Sequence, residues 1–201
     1  MSAWPHSPVR RALDVMAAML MLVVTGPLMV AAAIAVALES PGHPIFRQRR
    51  VGRGGVPFEV YKLRTMVVGA EQMGAGLAVD ENDKRITRVG DLLRRTSMDE
   101  LPNLLNVLRG EMSLIGPRPT VQVQVDRYTE RQMRRLEVLP GITGWAQVNG
   151  RASLPWSERI ELDIHYVEHA TPLMDLRILA KTVYMVTTGQ GLYRGETGGW
   201  R

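Results

Sequence analysis

Cysteine is absent from this chain. That excludes a disulfide framework and any cysteine-based metal site, and it fits a reducing compartment. Internal repeats and low-complexity tracts are also absent, so no repeat architecture is at hand. Charge is missing over one long stretch: Val15 to Leu38 holds no Asp, Glu, Lys or Arg. Elsewhere the charge is lopsided. The whole chain carries +5, from 25 Lys and Arg against 20 Asp and Glu. Residues 1–64 hold Arg10, Arg11, Arg47, Arg49, Arg50, Arg53, Lys62 and Arg64 against Asp14, Glu39 and Glu59, which accounts for the entire excess. The basic residues therefore flank the apolar run, where anionic headgroups would attract them. A nucleic-acid binder would spread such charge over a folded face with aromatics between, so nucleic acid is not read as a partner.

The apolar run is roughly two dozen residues, long enough to cross a ~30 Å hydrocarbon core. A plain spanning helix would carry its basic flank on one side only. Here both flanks are basic and ask for the same side. Gly26-Pro27 near the middle offers a break, because Pro27 has no N–H for the carbonyl of Val23 and Gly26 weakens a helix. The expectation is a re-entrant helix that enters the leaflet, bends and returns. Thr25 is the candidate hydroxyl for a freed carbonyl, since backbone in lipid needs a partner. The competing reading is a spanning helix with a proline kink. No small-residue cleavage site follows, so a removed signal peptide is not expected.

Beyond the run, Ile45–Val51 and Val56–Leu63 read as a hairpin around Gly52-Arg53-Gly54-Gly55. Val67–Asp83 reads as a surface loop. Asp91–Arg95 and Pro102–Arg109 read as short helices, the second with Leu101, Leu104, Leu105 and Leu108 on one face. Gly110–Pro119 is a loop. Val121–Val138 is a charged, solvated helix. Pro140–Arg151 is turn-rich, and Trp156–Ala170 and Leu173–Thr188 are amphipathic helices. The fold class is α+β, mostly helical: a re-entrant membrane helix plus amphipathic helices around a short hairpin. The divisions expected are an anchor at 1–40, one catalytic unit at 41–188 and a tail at 189–201.

Three constellations carry candidate chemistry. Asp99 and Glu100 are adjacent carboxylates ahead of Leu101-Pro102. Proline suits a helix first turn, which would put the pair at the positive end of the following helix. The bland alternative is a capping box, Ser97-x-x-Glu100. Pro102 argues against a helix that starts at Ser97. Gly116-Pro117-Arg118-Pro119 holds Arg118 between φ-locked prolines, which suits a guanidinium aimed at a phosphate. The competing reading is a stiff turn facing water. Pro140–Arg151 adds glycines for close backbone approach, with Gln147, Asn149 and Arg151 as donors. His165 and His169 are spaced for one metal, but no third ligand is evident.

In order, Arg11-Ala12-Leu13-Asp14, the run with Pro27, Ser40-Pro41-Gly42, Phe46-Arg47-Gln48, Tyr61–Met66, Arg94, Asp99-Glu100-Leu101-Pro102, Asn106–Leu114, Gly116–Pro119, Pro140–Arg151 and Asp175-Leu176 resemble the bacterial sugar transferase family, the small monotopic phosphoglycosyl transferases. The resemblance covers about residues 10–188. It implies transfer of a sugar phosphate from a UDP-sugar to undecaprenyl phosphate, with release of UMP. It implies Asp99 as nucleophile, Glu100 beside it, Mg²⁺ held by the pair, and a site on the cytoplasmic face of the bacterial inner membrane. Lys62, Arg94, Arg118 with Pro117 and Pro119, and Arg151 become candidate substrate-binding residues, with Asp175 orienting one of the arginines. Membrane lipid is an expected partner; oligomeric state is not readable. Two departures stand out: Gly26-Pro27 where Ser-Pro is common, and Asn103 where Gln is frequent. The chain reads as a minimal form of the family. Two other readings remain: a membrane-surface adaptor without catalysis, and a glycosyltransferase that releases UDP.

Overall fold

A computed structural model describes residues 2–73, 83–150 and 154–188. Arg151 and the 189–201 segment, both singled out above, lie outside the described residues, as does most of the expected 67–83 loop.

Helix α1 runs Pro8–Glu39, opened by Pro8 at its first turn. Its 32 residues reach about 48 Å. Arg10, Asp14, Ala18, Ala32 and Val36 are buried along it, mostly four residues apart, so they form one stripe. The opposite face is bare: Val23, Val24, Leu28 and Leu38 all stand exposed. Ala18 packs into a cluster with Phe58, Val60, Leu104, Val107 and Met112. Ala32 and Val36 pack with Leu63 and Leu93. Both ends of α1 thus lie against the same folded body.

The helix continues through Gly26 and Pro27, so the structure has no break where the sequence suggests one. One proline removes a single hydrogen bond, and the docked ends hold the axis on either side of it. Thr25 donates to the carbonyl of Met21 at 2.7 Å, not to that of Val23.

Strands β1 (Ile45–Val51) and β2 (Pro57–Leu63) pair antiparallel, with Gln48 opposite Val60 and Arg50 opposite Phe58. Gly54 and Gly55 take positive φ at the turn, where side chains rarely go. Helix α2 (Arg88–Arg95) is capped by Thr87, which accepts from the amide of Gly90. Glu39 at the end of α1 accepts from the amides of Arg88 and Val89, so one carboxylate ties the two helices together. A 3₁₀ turn at Met98–Asn103 then leads into α3 (Leu104–Arg109). The helix expected from Pro102 therefore starts later, and the carboxylate pair lies within the preceding 3₁₀ turn.

The expected 110–119 loop contains a strand, β3 (Ser113–Ile115). The charged helix expected over 121–138 is broken into α4 (Gln122–Val125), α5 (Glu130–Met133) and a 3₁₀ turn at Arg134–Leu136. Thr129 and Gln132 form a reciprocal capping box that starts a new helix in mid-segment. The turn-rich 140–151 segment holds β4 (Gly141–Thr143), parallel to β3, and α6 (Trp145–Val148). Helices α7 (Trp156–His169) and α8 (Pro172–Thr188) close the body.

A buried polar knot anchors the start of α1. Arg10 donates to Asp175 at 3.0 Å, to Ser113 Oγ at 2.9 Å, to the Tyr166 hydroxyl at 2.9 Å and to the carbonyl of Ile115. Tyr166 and Trp4 each donate to Asp175 at 2.8 Å. Asp14 accepts from Ser113 Oγ at 2.8 Å. Asp175 does orient an arginine, but it is Arg10, inside the protein. Removing one member leaves a buried charge unpaired, a loss of about 3–5 kcal/mol. Arg10→Ala and Asp175→Ala should each lower the free energy of unfolding by that order in detergent. A shift below about 1 kcal/mol would show the knot to be dispensable.

Candidate active site

The site forms where the Met98–Asn103 turn meets the hairpin. Asn103 is buried, and its Oδ1 accepts from the amide of Tyr61 at 3.0 Å. Asn106 donates to the carbonyl of Glu59 at 2.6 Å and to Glu111 at 2.8 Å. These bonds pin the turn and α3 to β2. The hairpin register puts Phe58, Val60 and Lys62 on one face. Phe58 and Val60 are buried there. Lys62 takes the next inward position and reaches Glu100 Oε1 at 2.7 Å.

Arg118 meets the same carboxylate from the other side. Its Nη2 donates to Glu100 Oε1 at 2.6 Å and its Nη1 to Oε2 at 3.3 Å. Glu100 is thus clamped between two cations. Burial works against its charge, but Arg118 and Lys62 outweigh it and hold the carboxyl well below its usual range. The capping alternative does not form. Ser97 makes no side-chain cap and sits at φ 54°, so Glu100 is left to the two cations.

Asp99 is the opposite case. Its carboxylate makes no hydrogen bond among the described residues. Burial and the charge of Glu100 push it up to about 6, while Lys62, Arg94 and Arg118 pull it down. A partly buried carboxylate near three cations, beside one that two cations bond directly, makes the two acids electrostatically unlike. Arg94 is steered by a 2.8 Å bond from its Nε to Thr65 Oγ1.

A shallow cleft opens beside Glu100, lined by Arg50, Lys62, Glu100, Asn103, Arg118 and Gly141 among others. Gly141 serves the close approach of two backbones: a Cβ there would fall 2.1 Å from the amide of Gly116. The structure brings Asp99, Glu100, Lys62, Arg94, Arg118 and Pro119 together. Buried Pro117 stiffens the turn from behind. Asp175 is elsewhere, in the α1 knot. Arg50 and Asn103 were not among the candidates. The signal for Arg50 was its register with Phe58, which places it on the Lys62 face. Among the described residues no cluster of three or more His, Asp or Glu gathers to hold a metal. Magnesium fits the pair nonetheless, because it takes one or two carboxylates and fills its shell with water and substrate phosphate. Asp99 has both oxygens available for that.

A carboxylate near three cations, on a body carrying a long bare apolar helix, suits the binding of anionic groups beside an apolar surface. The comparisons give the family: residues 5–189 match the bacterial sugar transferases, and the chain belongs to that family. It is 43% identical over 183 residues to the uncharacterized sugar transferase EpsL of Bacillus subtilis, covering 91% of this chain and 89% of that one. It is 45% identical over 193 residues to the UDP-glucose:undecaprenyl-phosphate glucose-1-phosphate transferase of Caulobacter vibrioides, covering 92% and 72%. It is 42% identical over 189 residues to the UDP-N-acetylgalactosamine-undecaprenyl-phosphate N-acetylgalactosaminephosphotransferase of Aeromonas hydrophila, but spans only 44% of that longer chain.

The raised Asp99 carries a stability signature. Its proton is held more tightly in the folded state, so its contribution is full below the unfolded value of 3.8 and is lost as pH rises through about 6. Asp99→Asn removes that loss. The variant should be more stable than the native protein at pH 8, by on the order of 1–2 kcal/mol of unfolding free energy after allowance for screening, and the gap should close at pH 4. A lower midpoint at pH 8 contradicts the assignment.

Proposed function

We propose that this protein transfers a sugar-1-phosphate from a UDP-sugar to undecaprenyl phosphate through a covalent Asp99 intermediate, with release of UMP. One observation carries the reading: Asp99 has no hydrogen bond among the described residues, while its neighbour Glu100 is held by Lys62 and Arg118. A nucleophile must have its lone pairs available, and Asp99 alone of the pair does.

In the first step an Asp99 oxygen attacks the sugar-bearing phosphorus of the donor. An acyl-phosphate bond forms and the phosphorus–oxygen bond to UMP breaks. In the second step a phosphate oxygen of the acceptor attacks the same phosphorus, and the Asp99 carboxylate leaves. Dividing the transfer this way replaces one hard displacement with two easier ones. Phosphoryl chemistry needs positioning and charge neutralisation above all. Lys62, Arg94 and Arg118 supply that charge around Asp99. Glu100 keeps Lys62 and Arg118 in place and is not free to act as a base while it holds both. Bound Mg²⁺, on Asp99 and the diphosphate with Glu100 alongside, would neutralise further charge.

The bare apolar face of α1 lies in the lipid, and both its ends stay on the cytoplasmic side of the inner membrane. Support comes from the docking of residues 10–22 and 32–39 on one body, together with the basic flanks. That placement holds the site at headgroup level, where the acceptor's phosphate lies.

Three experiments test this. Protein incubated with a UDP-sugar and Mg²⁺ but no acceptor should gain one phosphosugar by intact mass, and Asp99→Asn should not. A panel of UDP-sugars with polyprenyl phosphate should release UMP; release of UDP, or turnover surviving in Asp99→Asn, refutes the scheme. For topology, single cysteines at Ala3 and Arg53 should both label from the cytoplasmic side of inverted vesicles. Labelling from opposite sides restores a spanning helix.

A further inference from the structure

The sequence suggests that the arginines of 127–135 face solvent. Arg127 and Arg131 do, Arg134 is half-buried, and Arg135 departs altogether. Arg131 pairs with Glu161, and Arg134 with Glu137 and Glu168, all on or near the surface. Arg135 is buried, as is its partner Asp163 in α7. One Arg135 nitrogen, Nη2, donates to Asp163 Oδ2 at 2.5 Å and to the carbonyl of Arg118 at 2.9 Å. The other, Nη1, donates to the Tyr128 hydroxyl.

Such a pair is poorly explained by stability. Desolvating two charges costs about as much as their attraction returns, and an apolar pair of equal volume would serve as well. Here the balance is worse than usual, since Arg135 Nε and Asp163 Oδ1 are buried with no hydrogen-bond partner among the described residues. What an apolar residue could not do is grip a carbonyl in the active-site turn.

The other carbonyls of that turn are held too. Pro117 accepts from the amide of Gly141 at 2.9 Å, and Pro119 from Arg50 Nη1 at 3.4 Å. Three successive carbonyls are therefore fixed by three separate parts of the chain: β4, the Arg134–Leu136 turn and β1. The central grip falls on the residue whose side chain forks onto Glu100.

We propose that Arg135, seated on Asp163, is a positioning residue that aims Arg118 at Glu100 by holding the Arg118 carbonyl. Arg135 touches no substrate in this scheme; it acts only through Arg118. The consequence for turnover rests on the transferase reading above, but the geometric consequence does not.

The test is a double-mutant cycle with Arg118→Ala and Arg135→Met. Arg135→Met alone should lower kcat/KM about tenfold or more, and Arg135→Lys should recover part of the loss. In the Arg118→Ala background, Arg135→Met should change kcat/KM by less than about twofold, because the group it aims is gone. Losses that multiply in the double variant, or full kcat/KM in a folded Arg135→Met, overturn the proposal. If the methionine variant does not fold, Arg135→Lys carries the same cycle. Hydrogen exchange gives an arm that needs no activity. In Arg135→Met or Arg135→Lys the amide of Gly141, bonded to Pro117, should exchange faster while the hairpin keeps its protection. Unchanged exchange at Gly141 sinks the proposal even if turnover is seen. If the native protein shows no turnover with any UDP-sugar, the transferase reading fails, and the exchange result still decides whether Arg135 holds the turn.

Discussion

The clamp of Lys62 and Arg118 on Glu100 is the interaction on which the site depends. Two cations converge on one carboxylate, so they arrive from two elements at a fixed separation. Without Glu100 those like charges would repel across the cleft. With it they are held beside Asp99, whose carboxylate has no hydrogen bond among the described residues. Adjacent acidic residues thus acquire different characters from their surroundings. One is saturated and firmly ionised; the other is bare and reluctant to ionise. Holding a carboxylate above its usual range in this way costs stability at neutral pH.

The long helix is tied to that site through the body's core. Ala18 packs with Phe58 and Val60, the residues next to Lys62 on the same hairpin face. Arg11 donates to the carbonyls of Val107 and Leu108 at the end of α3, downstream of the carboxylate turn. Arg10 reaches β3, α7 and α8 at once. The long apolar helix is therefore also a structural member of the folded body, and its position is fixed relative to the site.

Elements with a strong local signal were legible in the chain. The hairpin ends within a residue of its expected bounds, because alternation and a glycine turn are short-range features. Helices α7 and α8 follow their apolar period. Strands β3 and β4 were not legible: three residues cannot establish a period, and they exist only because glycines at 116 and 141 let two backbones meet. The 121–138 segment misled because its charge pattern suits an exposed helix, whereas Thr129 restarts the helix and Arg135 turns inward to meet Asp163.

Composition and order by themselves determined that this chain has a long apolar helix with basic flanks, a paired carboxylate before Leu-Pro, and an arginine stiffened by two prolines. These are properties of neighbouring residues, and local sterics and solvation decide them. Which carboxylate is bare, which arginine is gripped, and that Asp175 serves Arg10 and not the site were decided by tertiary structure alone. Those outcomes depend on groups 17 to 165 positions apart, and the energy of burying a charge is set by whatever partner the fold brings to it.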